Sequence, residues 1–137
     1  MPKRANHQSS IFQSPIEVSE EKKFDLDERT FQFALAVRKL IGAHRWSLEQ
    51  TSDVKQVLRS SGSVAANYAE ANNPISTGDF LHRLKVCRKE SGESRLWLRL
   101  LGETSVDDRR NVLRTLWQES DELTRIFTSI LKKNGEE

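Results

Sequence analysis

The chain has 137 residues, 36% of them hydrophobic and 31% charged, and its formal net charge is +2. This length predicts one domain with a substantial core, and no stretch approaches the roughly 18 consecutive apolar residues of a membrane span. The single cysteine, Cys87, excludes an internal disulfide, and the first ten residues lack the apolar segment of a secretory signal, so we expect a cytoplasmic protein.

The N-terminal segment, residues 1–23, is polar and contains two of the three prolines. It shows no sustained apolar period, so we expect a flexible tail. The first helix is predicted at about residues 26–45, where apolar residues recur every three or four positions. Either Asp25 or Asp27 can cap its N-terminus.

The second predicted helix, residues 48–72, is the one around which the others are expected to pack. Ser47 and Gln50 form a capping box at its start. Small residues at 60–63 lie on its apolar stripe, which would let another helix backbone approach closely. Gly62 costs about 1 kcal/mol relative to Ala inside a helix, which indicates that packing keeps it there.

Two further helices are predicted at residues 77–102 and 106–133. A heptad-like apolar seam runs along the third, and Ser105 or Asp107 is expected to start the fourth. Four long amphipathic helices with short connections, and no strand-like alternation, predict an all-α, antiparallel up-down-up-down four-helix bundle over residues 24–133.

The third predicted helix is apolar almost all the way round near its end. Leu96, Trp97 and Leu100 exceed what one buried stripe requires. We interpret the surplus as a contact between subunits. The alternative is that the N-terminal tail covers Trp97 and Leu100.

No arrangement of residues predicts an enzyme, a cofactor or a metal site. A di-iron bundle needs repeated Glu-x-x-His pairs, and the nearest match, Asp79 with His82, occurs once. The three histidines lack ligand spacing, and Cys87 lies on the apolar seam, where a core role is expected. The chain has no P-loop and no nucleophile-elbow motif.

Polar residues flank the apolar stripes of the second and third predicted helices. We interpret them as a network that sets helix register, the alternative being a surface that recognises a ligand or partner. The members of this polar seam are Arg59, Ser63, Asn67, Glu70, Glu90 and Glu93.

Basic residues concentrate on the third predicted helix and at the start of the fourth. Residues 83–89 carry four basic side chains and no acidic one. A solvated surface is the usual explanation, but these residues are also candidates for nucleic-acid binding, which oligomerisation would strengthen. The candidates are Arg83, Lys85, Arg88, Lys89, Arg109, Arg110 and Arg114.

Several sequence blocks together resemble one bacterial family. They are FDLDERTF at 24–31, LRSSGSVAANYAEA at 58–71, Asp79-Phe80, KESGES at 89–94 and LWL at 96–98. The second block contains Arg-Ser-x-x-Ser-Val-x-Ala-Asn-x-x-Glu. Over residues 24–131 the chain is similar to the four helix bundle protein family, also called the 23S ribosomal RNA intervening-sequence protein family. Gly62 and Gly92 depart from it where Ala or Thr is expected.

The resemblance implies a small cytosolic bundle that assembles as a homopentamer and has no catalytic residues. Distant relatives, the accessory variability determinants of diversity-generating retroelements, bind nucleic acid and a reverse transcriptase, and they are more basic than this chain. We therefore expect a non-enzymatic oligomeric scaffold that binds structured RNA or DNA, as an accessory to a reverse transcriptase or to ribosomal RNA. The alternative is a protein–protein adaptor that does not bind nucleic acid.

Overall fold

The computed structural model describes residues 25–136, which form four α-helices and no strand. Helix α1 spans Leu26–Gly42, α2 spans Leu48–Ala71, α3 spans Thr77–Glu103 and α4 spans Arg109–Lys133. The prediction of an all-α protein with four helices is confirmed. The predicted tail at residues 1–23 lies outside the described residues.

Local side-chain hydrogen bonds fix where the first three helices begin. The carboxylate of Asp25 accepts the N–H of Glu28 at 3.3 Å. Gln50 Oε1 accepts the N–H of Ser47 at 3.1 Å, so the reciprocal bond of the predicted capping box is present. Ser76 Oγ accepts the N–H of Asp79 at 3.0 Å. These residues therefore satisfy backbone donors that a helix N-terminus leaves free.

Two helix boundaries lie three residues from the approximate predicted ones, and nearby side chains form hydrogen bonds at each. Helix α1 ends at Gly42, three residues before the predicted end, and Trp46 Nε1 donates to Ile41 O at 3.0 Å, which satisfies one carbonyl of the last turn. Helix α4 begins at Arg109 and not at 106. Asp107 lies just before the helix and contributes to its start, because its carboxylate accepts the backbone N–H of Arg109 at 3.1 Å as well as the guanidinium Nε at 2.8 Å.

Contacts between the helices show that neighbours run antiparallel. Near one end, Gln50 Nε2 on α2 donates to Thr104 Oγ1, just after α3, at 3.0 Å. Near the other end, Arg83 Nη1 on α3 donates to Asn67 Oδ1 on α2 at 3.0 Å. Helix α4 packs against both α3 and α1, and α1 packs against α2, which closes the arrangement as in a four-helix bundle.

The core is aliphatic along most of its length and contains serines where α2, α3 and α4 meet. Ser60 and Ser94 are completely buried, and their hydroxyls share a hydrogen bond of 2.7 Å between α2 and α3. The short side chains allow the helices to approach closely at this level. Along the whole length of the core, the largest fully buried side chains are Phe127, Leu84, Leu98, Leu101, Leu113, Leu116, Leu123 and Leu131.

Gly62 has a different role from the one its place in the small-residue segment predicts. A Cβ added there would lie 2.8 Å from Nη2 of Arg38, so a guanidinium and not a helix backbone occupies the space. Arg38 donates to Leu58 O at 3.0 Å and to Ser61 Oγ at 3.2 Å. Gly62 thus admits an arginine of α1 onto the surface of α2.

Candidate nucleic-acid interface

A basic groove lies where α3 ends and α4 begins. It has a volume of about 600 Å³, and we call it the α3–α4 groove. The five-residue connection between the helices, 104–108, brings side chains of both helices to it. The lining residues are Arg99, Gly102, Glu103, Val106, Asp107, Arg110, Asn111, Arg114 and Trp117.

Three arginines give the groove its charge. Arg99, Arg110 and Arg114 are exposed, and none of them forms an ion pair with a residue in the 25–136 range. Two carboxylates also line the groove. Asp107 is bound by an arginine outside the lining at 2.8 Å, and Glu103, which forms no ion pair within residues 25–136, offsets one of the three positive charges. The groove therefore carries excess positive charge toward solvent.

Arg109, a predicted nucleic-acid contact, binds residues of both the α1–α2 connection and the α3–α4 connection. Its guanidinium donates to Asp107 at 2.8 and 2.9 Å and to Arg45 O at 2.7 Å, and it lies 4.7 Å from the ring centroid of Trp46. The hydrogen bonds from Arg109 hold the pKa of Asp107 below its ordinary value. Arg109 thereby joins the α1–α2 connection to the start of α4.

The other predicted basic residues lie on the first half of α3. Arg83 is bound to Asp79 at 3.3 Å, and the ammonium of Lys85 lies 2.7 Å from a carboxylate oxygen of Glu136. Arg88 and Lys89 form no ion pair within the described part of the chain. Half of this basic run is thus neutralised locally.

The arginines of the α3–α4 groove and the basic residues at 83–89 lie at different levels along the bundle. Thr124 Oγ1 donates to Ser91 Oγ at 2.9 Å, which fixes the antiparallel register of α3 and α4. Arg88 lies about 5 Å to one side of this level and Arg114 about 15 Å to the other, at 1.5 Å per residue. The seven predicted residues therefore do not form one patch.

Arg99 is the basic residue of the groove that is absent from the predicted set, and Asn111 and Trp117 of the lining are absent from it too. The signal that could have found Arg99 is the short α3–α4 connection, because a tight antiparallel junction brings the end of one helix beside the start of the next. Arg99 thus faces the same groove as Arg110 and Arg114.

The structure brings together three residues of the predicted polar seam. Arg59 Nη2 lies 2.8 Å from Glu93 Oε1 and 3.2 Å from Glu90 Oε1, so one guanidinium of α2 bridges two carboxylates of α3. Glu90 is almost completely buried and Arg59 is half-exposed. The pair therefore lies at the edge of the α2–α3 contact.

Of the three remaining seam residues, Ser63 and Asn67 contact each other and Glu70 stands apart. Asn67 Nδ2 donates to Ser63 O at 2.9 Å, and Asn67 Oδ1 accepts from Arg83 at 3.0 Å. Glu70 is exposed and forms no ion pair with any residue that the structure describes. The predicted seam thus consists of two clusters and one isolated carboxylate.

The predicted interface residues on α3 leave an apolar pair exposed next to the groove. Leu96 is 49% exposed and Leu100, one turn later, is 39% exposed. Trp97 packs against the core, and its Nε1 is buried with no hydrogen-bond partner among residues 25–136. Leu96 and Leu100 flank Arg99, so apolar and basic side chains share this end of α3.

Cys87 is a core residue. Its side chain is fully buried, and its thiol donates weakly to Val64 O at 3.6 Å. Burial raises the pKa of this thiol to about 12, so it stays protonated at neutral pH and is a poor nucleophile. The described residues contain no group of three or more His, Cys, Asp or Glu side chains that could hold a metal ion.

No helix within residues 25–136 has both the length and the apolar character that a membrane span requires.

The described part of the chain is a small all-α protein of four antiparallel helices with a basic groove at one helix junction. The family described as 23S rRNA-intervening sequence protein matches residues 22–129, and the chain belongs to this family. The resemblance seen in the sequence is confirmed.

A solved structure supports this placement. The chain is 28% identical to a protein of unknown function from the S23 ribosomal protein family of Bacteroides thetaiotaomicron VPI-5482, whose crystal structure was determined at 1.70 Å. The TM-score is 0.65, and the match covers 77% of this chain and 94% of that one. No curated protein matches the chain.

Proposed function

We propose that this protein is a non-enzymatic, oligomeric scaffold that binds nucleic acid through the α3–α4 groove. The observation that carries the proposal is the convergence of Arg99, Arg110 and Arg114, which come from two helices and form no ion pair within residues 25–136. A guanidinium binds a phosphate through two parallel hydrogen bonds, so unpaired arginines around a groove favour a polyphosphate ligand. The family's description makes structured RNA the first ligand to test.

One subunit alone supplies a modest electrostatic attraction. Each neutralised phosphate contributes about −0.9 to the slope of log K against log salt for duplex DNA and about −0.7 for a single strand. Three arginines therefore predict a slope of about −2 to −3 per groove. Several grooves in one assembly bind with a much higher avidity, because later contacts form at a high effective concentration.

The oligomeric part of the proposal rests on the exposed pair Leu96 and Leu100. Apolar side chains exposed one turn apart on a long helix favour burial against another subunit. We propose a homopentamer, which is the assembly that the family resemblance implies. Light scattering should give a mass several times the 15.8 kDa of one chain. A mass near one chain would overturn this part.

The binding experiment compares two variants with equal loss of charge. The groove variant changes Arg99, Arg110 and Arg114 to Gln. The control changes to Gln three exposed residues that form no ion pair within residues 25–136, namely Lys39, Lys55 and Lys132. A labelled, structured RNA is titrated at about 50 mM and 200 mM salt. We expect the groove variant to lose about tenfold or more in affinity at low salt and to have a shallower salt dependence.

Two results would contradict the proposal. One is the absence of binding by the unmodified protein at micromolar concentration and low salt. The other is an equal loss of affinity in the groove variant and in the control, because only net charge would then matter.

A protein–protein adaptor is the second candidate, in which exposed Leu96 and Leu100 contact a different protein and not another subunit. This function predicts one stoichiometric protein partner whose recovery is insensitive to nuclease. Leu96→Ser with Leu100→Ser should abolish recovery of that partner, whereas the groove variant should leave it unchanged. Loss of the partner after nuclease treatment would instead favour nucleic-acid binding.

A further inference from the structure

We infer that the α3–α4 groove selects an unpaired nucleotide of a single strand over a base-paired duplex, with Trp117 contacting the base and the arginines contacting the flanking phosphates. This inference rests on the proposed function and specifies the ligand of the same groove. It depends on the aromatic residue within the basic lining, which electrostatic binding alone does not require.

Trp117 combines a fixed position with access to the groove. It is partly buried and packs against the core, and it also lines the groove. Unlike Trp46, whose Nε1 donates to Ile41 O at 3.0 Å, it donates no hydrogen bond to a residue in the described range. An indole held by the core on one side offers an apolar wall at little cost in side-chain entropy.

The phosphate-binding groups are spaced along the same side of α4. Arg110, Arg114 and Trp117 follow one another at intervals of four and three residues, so they lie on one face at successive turns of about 5.4 Å. Arg99 reaches the groove from α3. This places cationic groups around the aromatic wall, the combination with which proteins hold single strands.

The shape of the groove favours an unpaired base over a duplex. The groove has a volume of about 600 Å³ and is open to solvent along one side, so one base of a strand can enter it while the flanking nucleotides remain outside. The bases of a duplex are stacked and paired inside it, so a duplex offers its phosphates to the rim but no base face to Trp117. A single strand offers both.

Asn111 adds a polar group to the same lining. Its side chain forms no hydrogen bond with a described residue, although its backbone carbonyl accepts from Thr115 Oγ1 at 3.1 Å. A free amide can donate to and accept from the edge of an unpaired base. This group gives the groove a means of preferring some bases to others.

The test compares three ligands of one length at about 100 mM salt. They are a labelled 12-nucleotide RNA without self-complementarity, the same strand annealed to its complement, and an abasic 12-mer with the same number of phosphates. We expect the single strand to bind about tenfold more tightly than either of the others, because only it supplies both base stacking and phosphates.

Two variants assign the preference to the aromatic wall. Trp117→Leu should lower single-strand affinity about tenfold and change duplex affinity less than twofold, whereas Trp117→Phe keeps an aromatic ring and should retain most of the preference. The ligand comparison uses the unmodified protein, so it decides the inference even if Trp117→Leu fails to fold.

Equal affinity for the three ligands would overturn the inference, as would an equal loss of single-strand and duplex binding in Trp117→Leu. In both cases the proposed function stands if the arginine variant still loses binding. Failure of the unmodified protein to bind any of the three ligands would overturn the inference, and the titration with structured RNA at about 50 mM salt would then decide the proposed function.

Discussion

The contact between Arg38 and Gly62 predicts that Gly62→Ala changes the stability of the protein in one direction when Arg38 is present and in the opposite direction when Arg38 is replaced by Ala. Replacing Gly62 by Ala restores a residue type expected in the family and improves helix propensity by about 1 kcal/mol. The added Cβ would lie 2.8 Å from Arg38 Nη2, which is too close, so the guanidinium must move.

The cost of that movement follows from the hydrogen bonds that Arg38 makes. Its Nη2 donates to Leu58 O at 3.0 Å and its Nη1 to Ser61 Oγ at 3.2 Å. Losing both, at about 1 kcal/mol each for partly solvated bonds, costs about 2 kcal/mol. We therefore expect Gly62→Ala to destabilise the protein by about 1 kcal/mol, and to stabilise it by about 1 kcal/mol when Arg38 is Ala.

The assay is urea denaturation followed by far-ultraviolet circular dichroism at one fixed protein concentration. The four proteins of the cycle should give a coupling energy of about 2 kcal/mol between the two positions. Gly92→Ala is the matched control, because a Cβ there meets nothing closer than Arg95 Nη2 at 3.9 Å. It should stabilise the protein by about 1 kcal/mol. If Gly62→Ala stabilises the unmodified protein as Gly92→Ala does, the reasoning is refuted.

Three further predictions concern the interior. Ser60→Ala should destabilise the protein by about 1–2 kcal/mol in urea denaturation, because it leaves the buried hydroxyl of Ser94 without its partner, whereas the double Ala variant should cost less than the two single changes together. Cys87 should react with Ellman's reagent only after denaturation, since its thiol is buried and its pKa is raised to about 12; rapid reaction of the native protein would contradict this. Burial raises the pKa of Glu119 above its ordinary value of 4.5, although the ion pair with Arg29 lowers it. Between the pKa of the unfolded state and that of the folded state, Glu119 is protonated only when the protein is folded. The free energy of unfolding therefore falls as pH rises through this interval. Arg29→Met removes the cation that lowers the pKa of Glu119, so it should destabilise the protein more at pH 7 than at pH 4. An equal loss of stability at both pH values would contradict this.

The fold could be predicted from the sequence because its determinants are local. Apolar residues at helical spacing define the four helices, and Asp25 and Gln50 form their hydrogen bonds within one turn of the chain. One expectation fails because a residue distant in sequence intervenes. The role of Gly62 depends on Arg38 of another helix, and a pattern within the second helix contains no information about that side chain.

The candidate site was predicted less well because charge in a sequence does not show which charges are neutralised in the fold. Arg109 is adjacent to Arg110 and has the same chemistry, but the geometry of the connection turns it toward Asp107 and the carbonyl of Arg45. Arg99 is far from both in sequence and reaches the same groove as Arg110. Arg99 and Arg110 meet because of the register of α3 against α4, which the positions of charges in the sequence do not reveal.

The distribution of ion pairs explains how a nearly neutral chain can present a basic surface. Cross-helix pairs such as Arg29 with Glu119 and Arg95 with Asp121 place cations against carboxylates along the helix contacts. The carboxylates used there are unavailable to the α3–α4 groove, where Glu103 offsets only part of the charge of the three arginines. Stability and the proposed binding consequently depend on different arginines. Because of this separation, the groove can be neutralised by substitution without loss of the contacts that hold the helices together, and a loss of affinity can then be distinguished from a loss of fold.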